Sequence, residues 1–287
     1  MTWLILVITE FFQLGEGMIT RSYAKKYGDG GFKFNAIISL FAVLFYIVSD
    51  KNGFNFPKEL WIYGIISSVV YVIGFYATYI ALRIGSYILT NVIASFSTVF
   101  VIVYGLMVLH EPSNPLTYVG LFVIFVAMIL IMYPKQTPQE KKPFSLKWLI
   151  AALASAAANG MINIISRMQQ IRFDNECTNE FLIISLLGSF IVLLIGGIVT
   201  DGAKIKSILK SGSLFGLSAG VFNGIKNLLN LVVYLYIPIS LASPIKMWLN
   251  KFLAFAVSVV IYKEKFSKIQ LFGIILSIIA IILLGLK

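Results

Sequence analysis

The chain has one cysteine and one histidine in 287 residues, and only 12% of its residues are charged. A lone Cys177 excludes an internal disulfide and any cysteine metal cluster, and a lone His110 excludes a histidine metal site. No Gly-Lys-Ser/Thr phosphate loop and no HExxH helix occurs, so ATP hydrolysis and zinc-dependent hydrolysis are not expected. The sequence therefore reads as a non-enzyme with no metal and no cofactor. What it has in excess is apolar: 59% hydrophobic residues and a mean hydropathy of +0.91. Soluble domains are about half apolar and about a quarter charged, and a single interior cannot hide this surplus. The remaining class is an all-α polytopic membrane protein.

The formal net charge of +11 would suggest a nucleic-acid partner in a soluble protein. Here most Lys and Arg lie in short loops between apolar runs, where they orient membrane proteins, so no nucleic-acid partner is expected. The first apolar run lacks a basic leader and a small-residue cleavage site, and it reads as a retained helix.

Spans of about 20 apolar residues fall at roughly 2–22, 33–49, 59–82, 85–109, 115–133, 147–168, 179–200, 210–236, 239–262 and 268–286. The longest polar stretch, Pro134–Pro143, lies near the midpoint and reads as a linker. The expected organisation is a first five-helix repeat at 1–134, a connecting loop at 135–146 and a second five-helix repeat at 147–287.

Internal matches support a duplication. Glu111 and Gly120 recur as Glu264 and Gly273 at a spacing of nine, and Gly64 pairs with Gly216. Trp3-Leu4-Ile5 resembles Trp148-Leu149-Ile150, and Glu16-Gly17-Met18-Ile19 resembles Asn159-Gly160-Met161-Ile162. Because five is odd, the halves must enter the bilayer in opposite senses, the inverted repeat of many secondary transporters. The loops agree: 15 of the 23 Lys and Arg flank odd-numbered loops, which the positive-inside rule places in the cytoplasm, with both termini outside.

The span–Glu–nine residues–Gly pattern, given twice over ten helices, resembles the EamA branch of the drug/metabolite transporter superfamily. The resemblance covers nearly the whole chain. It implies ten helices, alternating access and a central cavity lined mainly by spans 1, 3, 4, 6, 8 and 9. Many members carry a Trp-Gly pair on spans one and six where this chain has Glu16-Gly17 and Asn159-Gly160, which makes the cavity more polar. Leu249-Asn250-Lys251 also resembles the Leu-Asn-Lys element of nucleotide-sugar transporters in the same superfamily, where the lysine belongs to the substrate-binding region.

Polar residues inside a span are costly and usually face the bundle interior or water. On span eight, Gly220, Asn223, Lys226, Asn227, Asn230 and Tyr234 share about one third of the circumference. Span one places Glu10, Gln13, Glu16, Gly17 and Thr20 within roughly 120°. Span six carries Ser155, Asn159, Asn163 and Ser166, and span four carries Tyr87, Asn91, Ser95 and Thr98. Span three adds an aromatic wall of Tyr71, Phe75 and Tyr79, and span nine adds Ser243, Lys246 and Asn250. The candidate substrate-binding set is Glu16, Tyr71, Tyr79, Asn91, Asn159, Asn163, Asn223, Lys226, Asn227, Asn230, Lys246 and Asn250. Packing seams are the plainer alternative for each stripe. Burial disfavours a charge on Glu16 and a neighbouring lysine favours it, so Glu16, with Glu10, is the proton-coupling candidate. Glu16 is expected to pair with Lys226 or Lys246. Pro238 and Pro244 are expected to bend span nine, and the Glu111 and Glu264 turns to end helices and anchor loops.

Three acidic or basic arrangements remain in competition. An amphoteric, amide-rich cavity fits a secondary transporter for a small polar metabolite, an amino acid or related zwitterion or organic anion, driven by protons or exchange. The alternative is a proton-coupled exporter of organic cations that uses Glu10 or Glu16. A scaffold or lipid-handling protein is a third reading, which the polar stripes oppose. The expected partners are a small-molecule substrate and membrane lipid, and a homodimer is compatible with the sequence. The expected location is a cell membrane of bacterial inner or plasma type.

Overall fold

A computed structural model describes residues 2–27, 31–50, 53–85, 90, 93–94, 96–111, 115–131, 146–201, 205–260 and 268–285. Among these residues the chain is helical apart from turns, with no strand. The helices are α1 (Thr2–Tyr27), α2 (Gly31–Ser49), α3 (Lys58–Ile84), α4 (Ser97–Val103), α5 (Pro115–Ile131), α6 (Leu146–Arg172), α7 (Thr178–Asp201), α8 (Ile205–Tyr236), α9 (Ile239–Val260) and α10 (Lys268–Gly285). Five of them, α1, α2, α3, α6 and α7, are long and apolar enough to cross a bilayer, judged on length and composition among the described residues. With shorter apolar helices between them, this is a polytopic all-α membrane protein. The expected connecting loop, 135–146, lies outside the described residues except for Leu146, which opens α6.

Helix contacts obey the exchange that an inverted repeat requires. The pair α1–α8 has its counterpart in α6–α3, α2–α8 in α7–α3, and α1–α9 in α6–α4. The pairs α2–α7, α4–α9 and α5–α10 map onto themselves. The glycine pair found in the sequence shows why the backbones approach so closely. A Cβ on Gly64 would fall 2.4 Å from Ile184 Cγ2, and one on Gly216 would fall 2.3 Å from Ile37 Cγ2. Small residues at such crossings let membrane helices pack without a hydrophobic driving force between them. The outer faces stay apolar: Trp61, Ile62, Ile65, Ile66, Val69 and Ile73 run exposed along α3, as a lipid-facing helix should.

The Glu111 turn does more than end a helix. After α4 the chain winds one π-helical turn, Tyr104–Val108, closed by Leu109 N–H to Tyr104 O at 3.1 Å and Glu111 N–H to Gly105 O at 3.1 Å. This delivers the Glu111 carboxylate to the first turn of α9 in the other half. It accepts from Ile239 N–H at 2.9 Å, from Ser240 N–H at 2.9 Å and from the Ser240 hydroxyl. Those amides belong to the donors that every helix start leaves unpaired, and a carboxylate there also suits the helix dipole. Gly105 is needed for the approach, since a Cβ would meet Glu111 Oε2 at 2.7 Å. Pro238 lies just before α9, in the break between α8 and α9, and Pro244 sits inside α9, which continues through it. Proline there leaves the Ser240 carbonyl without its intrahelical donor. Glu264 lies outside the described residues.

Candidate functional site

Two adjoining cavities, of about 190 Å³ and about 180 Å³, lie between the halves. Gln13, Ala94, Asn159, Asn163, Asn230 and Asn250 line both, so they form one chamber with a shared waist. A water needs roughly 10–15 Å³ of such space, so each part has room for a small solute. The walls come from α1, α2, α3, α6, α8 and α9, with Thr90, Ala94, Ser97, Thr98 and Val101 from the span-four region.

The larger part is organised around a buried ion pair. Lys226 Nζ donates to Glu16 Oε2 at 2.5 Å, and Asn223 Nδ2 donates to Glu16 Oε1 at 2.9 Å. Asn227 Nδ2 donates in turn to Asn223 Oδ1 at 2.9 Å. The spacing of 223, 226 and 227 puts all three on one face of α8, opposite Glu16 of α1. Glu16 is 8% exposed and Lys226 9%. Burying either ion alone costs several kcal/mol, and only a close partner with extra hydrogen bonds offsets that cost. Of the two lysines proposed for Glu16, the structure joins it to Lys226.

A second polar chain crosses the waist. Lys246 Nζ donates to the Tyr234 hydroxyl at 3.0 Å and lies 4.7 Å from the centre of the same ring. Tyr234 donates to Asn163 Oδ1 at 2.9 Å, Asn163 Nδ2 to Asn159 O at 2.9 Å, and Asn159 Nδ2 to Ser155 O at 2.8 Å. Asn159 is exposed and lines both parts of the chamber. Tyr234 ties α6, α8 and α9 together, and the sequence placed it on the span-eight stripe without giving it a binding role.

Glu16, Tyr71, Asn159, Asn163, Asn223, Lys226, Asn227, Asn230, Lys246 and Asn250 all line the chamber, as does Glu10 in the smaller part. Tyr79 does not. It is 2% exposed and packs with Tyr23, Phe34 and Ile38, against the backbone of Gly31. Helical geometry explains the correction: relative to Tyr71, Phe75 and Thr78 fall within roughly 40°, whereas Tyr79 is displaced by roughly 80°. Asn91 and the side chain of Lys251 lie outside what is described. The sequence missed Asn35 of α2, which lines the larger part and donates to Phe75 O at 3.2 Å. A lone amide in an otherwise apolar span was the available signal. It also passed over Gly216-Leu217-Ser218-Ala219-Gly220, which has GxSxG spacing. That string runs through the middle of α8, and Ser218 donates back to Leu214 O at 2.9 Å, so it makes no strand-to-helix nucleophile elbow.

A lipid-facing shell, two halves related by exchange and a polar chamber between them define a membrane transporter built on an inverted repeat. The chain belongs to the EamA-like transporter family, whose model matches residues 3–133 and again 146–286. A solved structure described only as "Crystal structure of protein" shares the fold, with a TM-score of 0.74 at 13% identity over 98% of this chain and 95% of the other. No curated protein matches the chain.

Proposed function

We propose that the chain is a secondary transporter that carries a small polar metabolite, an amino acid or related zwitterion or organic anion, by alternating access. The observation that carries this reading is the Glu16–Lys226–Asn223–Asn227 network on the wall of an amide-lined chamber. The pair leaves this part of the chamber without net charge, and its Asn side chains offer both donors and acceptors. Such a wall suits a hydrogen-bonding solute. In this part an organic cation would find no carboxylate that Lys226 does not already hold, which works against the Glu16 form of the cation-exporter alternative.

Energy comes from a gradient in this reading, and Glu16 is the coupling residue. Its carboxylate is held by Lys226 and Asn223. A rocking motion that separated α1 from α8 would break that contact, the step to which a gradient is coupled in this reading. The test is proton-driven accumulation in liposomes. Glu16→Gln is expected to abolish the effect of an imposed pH gradient while leaving counterflow exchange intact. Full retention of gradient-driven accumulation would remove Glu16 from the mechanism. A thermal-shift screen against metabolites tests the chamber, and a hit whose shift survives Asn227→Leu unchanged would move the site elsewhere.

A further inference from the structure

The smaller part of the chamber has a lysine that forms no ion pair with any described residue. Lys246 is 8% exposed, and among the described residues no carboxylate is ion-paired with it. Its one hydrogen bond among the described residues goes to the Tyr234 hydroxyl, which occupies a single N–H of the three an ammonium carries. Tyr234 spends its own proton on Asn163 Oδ1. The hydroxyl is thus held as an acceptor, and the ammonium is pinned without an ion pair. A buried charge without an ion pair is among the costlier features a protein keeps.

Around this cation the wall holds unused hydrogen-bonding atoms of matching kinds. Ser243 Oγ and Asn250 Nδ2 are buried without partners among the described residues. Both residues line the same part of the chamber as Lys246, and the spacing 243, 246, 250 keeps the three within roughly 60° on α9. Both atoms can donate. On α8, Asn230 Oδ1 is also buried without a partner among the described residues, and it can only accept. Each such atom costs about 1–3 kcal/mol while unpaired, and a change of side-chain rotamer at residues that already line the chamber is what would bring it to a solute.

Resting on the transporter reading above, we propose that Lys246, Ser243 and Asn250 form a subsite for a single carboxylate of the transported solute, with Asn230 receiving a donor from the same molecule. The chemistry of the unpaired atoms suggests this arrangement: an ammonium, a hydroxyl and an amide N–H gather on α9, and a carbonyl oxygen on α8 belongs to the same part of the chamber. One lysine balances one negative charge. Glu10 also lines this space, so a dianion such as a phosphate monoester would meet more repulsion there than a monocarboxylate. The ion pair of the larger part is separate, since Lys226 is already committed to Glu16.

The experiment uses the purified full-length chain and a thermal-shift panel of the twenty common amino acids, C2–C6 carboxylic acids, and the amide and amino-alcohol counterparts of each acid. Stabilisation is expected only from carboxylates. Each amide counterpart should bind roughly 10- to 100-fold more weakly, the loss of one charge-assisted contact. Lys246→Gln should erase the carboxylate shift, and Lys246→Arg should keep much of it. Since Lys246→Gln also removes a buried charge that has no ion pair among the described residues, its ligand-free melting temperature should match or exceed that of the unaltered protein. Amides binding as well as acids, a shift that survives Lys246→Gln, or no response to any acid would each overturn the subsite. If amides or amino alcohols bind and Asn227→Leu abolishes that binding, the subsite falls while the polar-metabolite reading stands.

Discussion

Removing the partner of Glu16 is the sharpest perturbation of this molecule. Lys226→Met keeps most of the side-chain volume and leaves the carboxylate buried beside Asn223 alone. Breaking a buried pair from one side costs about 3–5 kcal/mol, because the remaining ion has lost its compensation. Both side chains are only about a tenth exposed, 11% for Lys226 and 10% for Glu16, so solvent screening recovers little of that loss. At about 2–4 °C per kcal/mol for chains of a few hundred residues, the melting temperature should drop by roughly 6–20 °C. The double variant Glu16→Gln/Lys226→Met removes both charges and keeps an amide facing Asn223. Replacing a whole buried pair by neutral groups is often close to neutral, so it should recover most of the loss. Fluorescence-detected melting of the three proteins in one detergent decides the matter. A single variant as stable as the unaltered chain, or a double variant no better than the single, would show that the pair is not the stabilising contact described.

Glu111→Ala should lower the melting temperature by roughly 4–10 °C, since it strips a carboxylate from two backbone amides and a hydroxyl at the start of α9; Glu111→Gln, which retains an acceptor oxygen, should lose about half as much. Gly64→Val and Gly216→Val should destabilise by similar amounts, about 1–3 kcal/mol each, because each drives a side chain into an isoleucine at the same kind of crossing; a large loss at one and none at the other in denaturant titration would refute the equivalence of the two contacts. Tyr79→Phe should leave every ligand-induced thermal shift unchanged, as its ring belongs to a packed core and not to the chamber. Trp148→Phe should cost about 1 kcal/mol through the lost indole bond to the Thr90 hydroxyl, 2.8 Å long in the structure.

The architecture was legible because the bilayer simplifies the code. A span must be apolar and about 20 residues long, so breaks between runs mark helix ends, and a repeat of odd length forces inversion. Chamber-facing residues were legible for a related reason: an Asn or Lys inside a span has few tolerable surroundings, and the stripes on α1, α6 and α8 converge on one space. Aromatics gave a weaker signal. Tyr71 and Tyr79 look alike in sequence because a ring is equally at home in a cavity wall or a core, and only the angular offset separates them. Partner choice was not legible either. Lys226 and Lys246 both lie on suitable faces, and which one meets Glu16 depends on the relative depth of α8 and α9 against α1, which no local pattern encodes. The reach of Glu111 across to α9 was hidden in the same way. The turn was evident as a turn, but its contact is 128 residues away.

The crossings at Gly64 and Gly216 have a consequence for how such a chain can be assembled. Ile37 and Gly64 belong to the first half, and Ile184 and Gly216 to the second. Each half therefore carries both a knob and the socket that accepts its counterpart's knob, the self-complementary design of a two-fold symmetric dimer. A protein of half this length bearing those two features would already hold the surfaces needed to pair with an oppositely oriented copy of itself. The linker then serves to fix stoichiometry and to let the two copies diverge, which is how one half can keep the aromatic wall of α3 while the other supplies the charged one of α8.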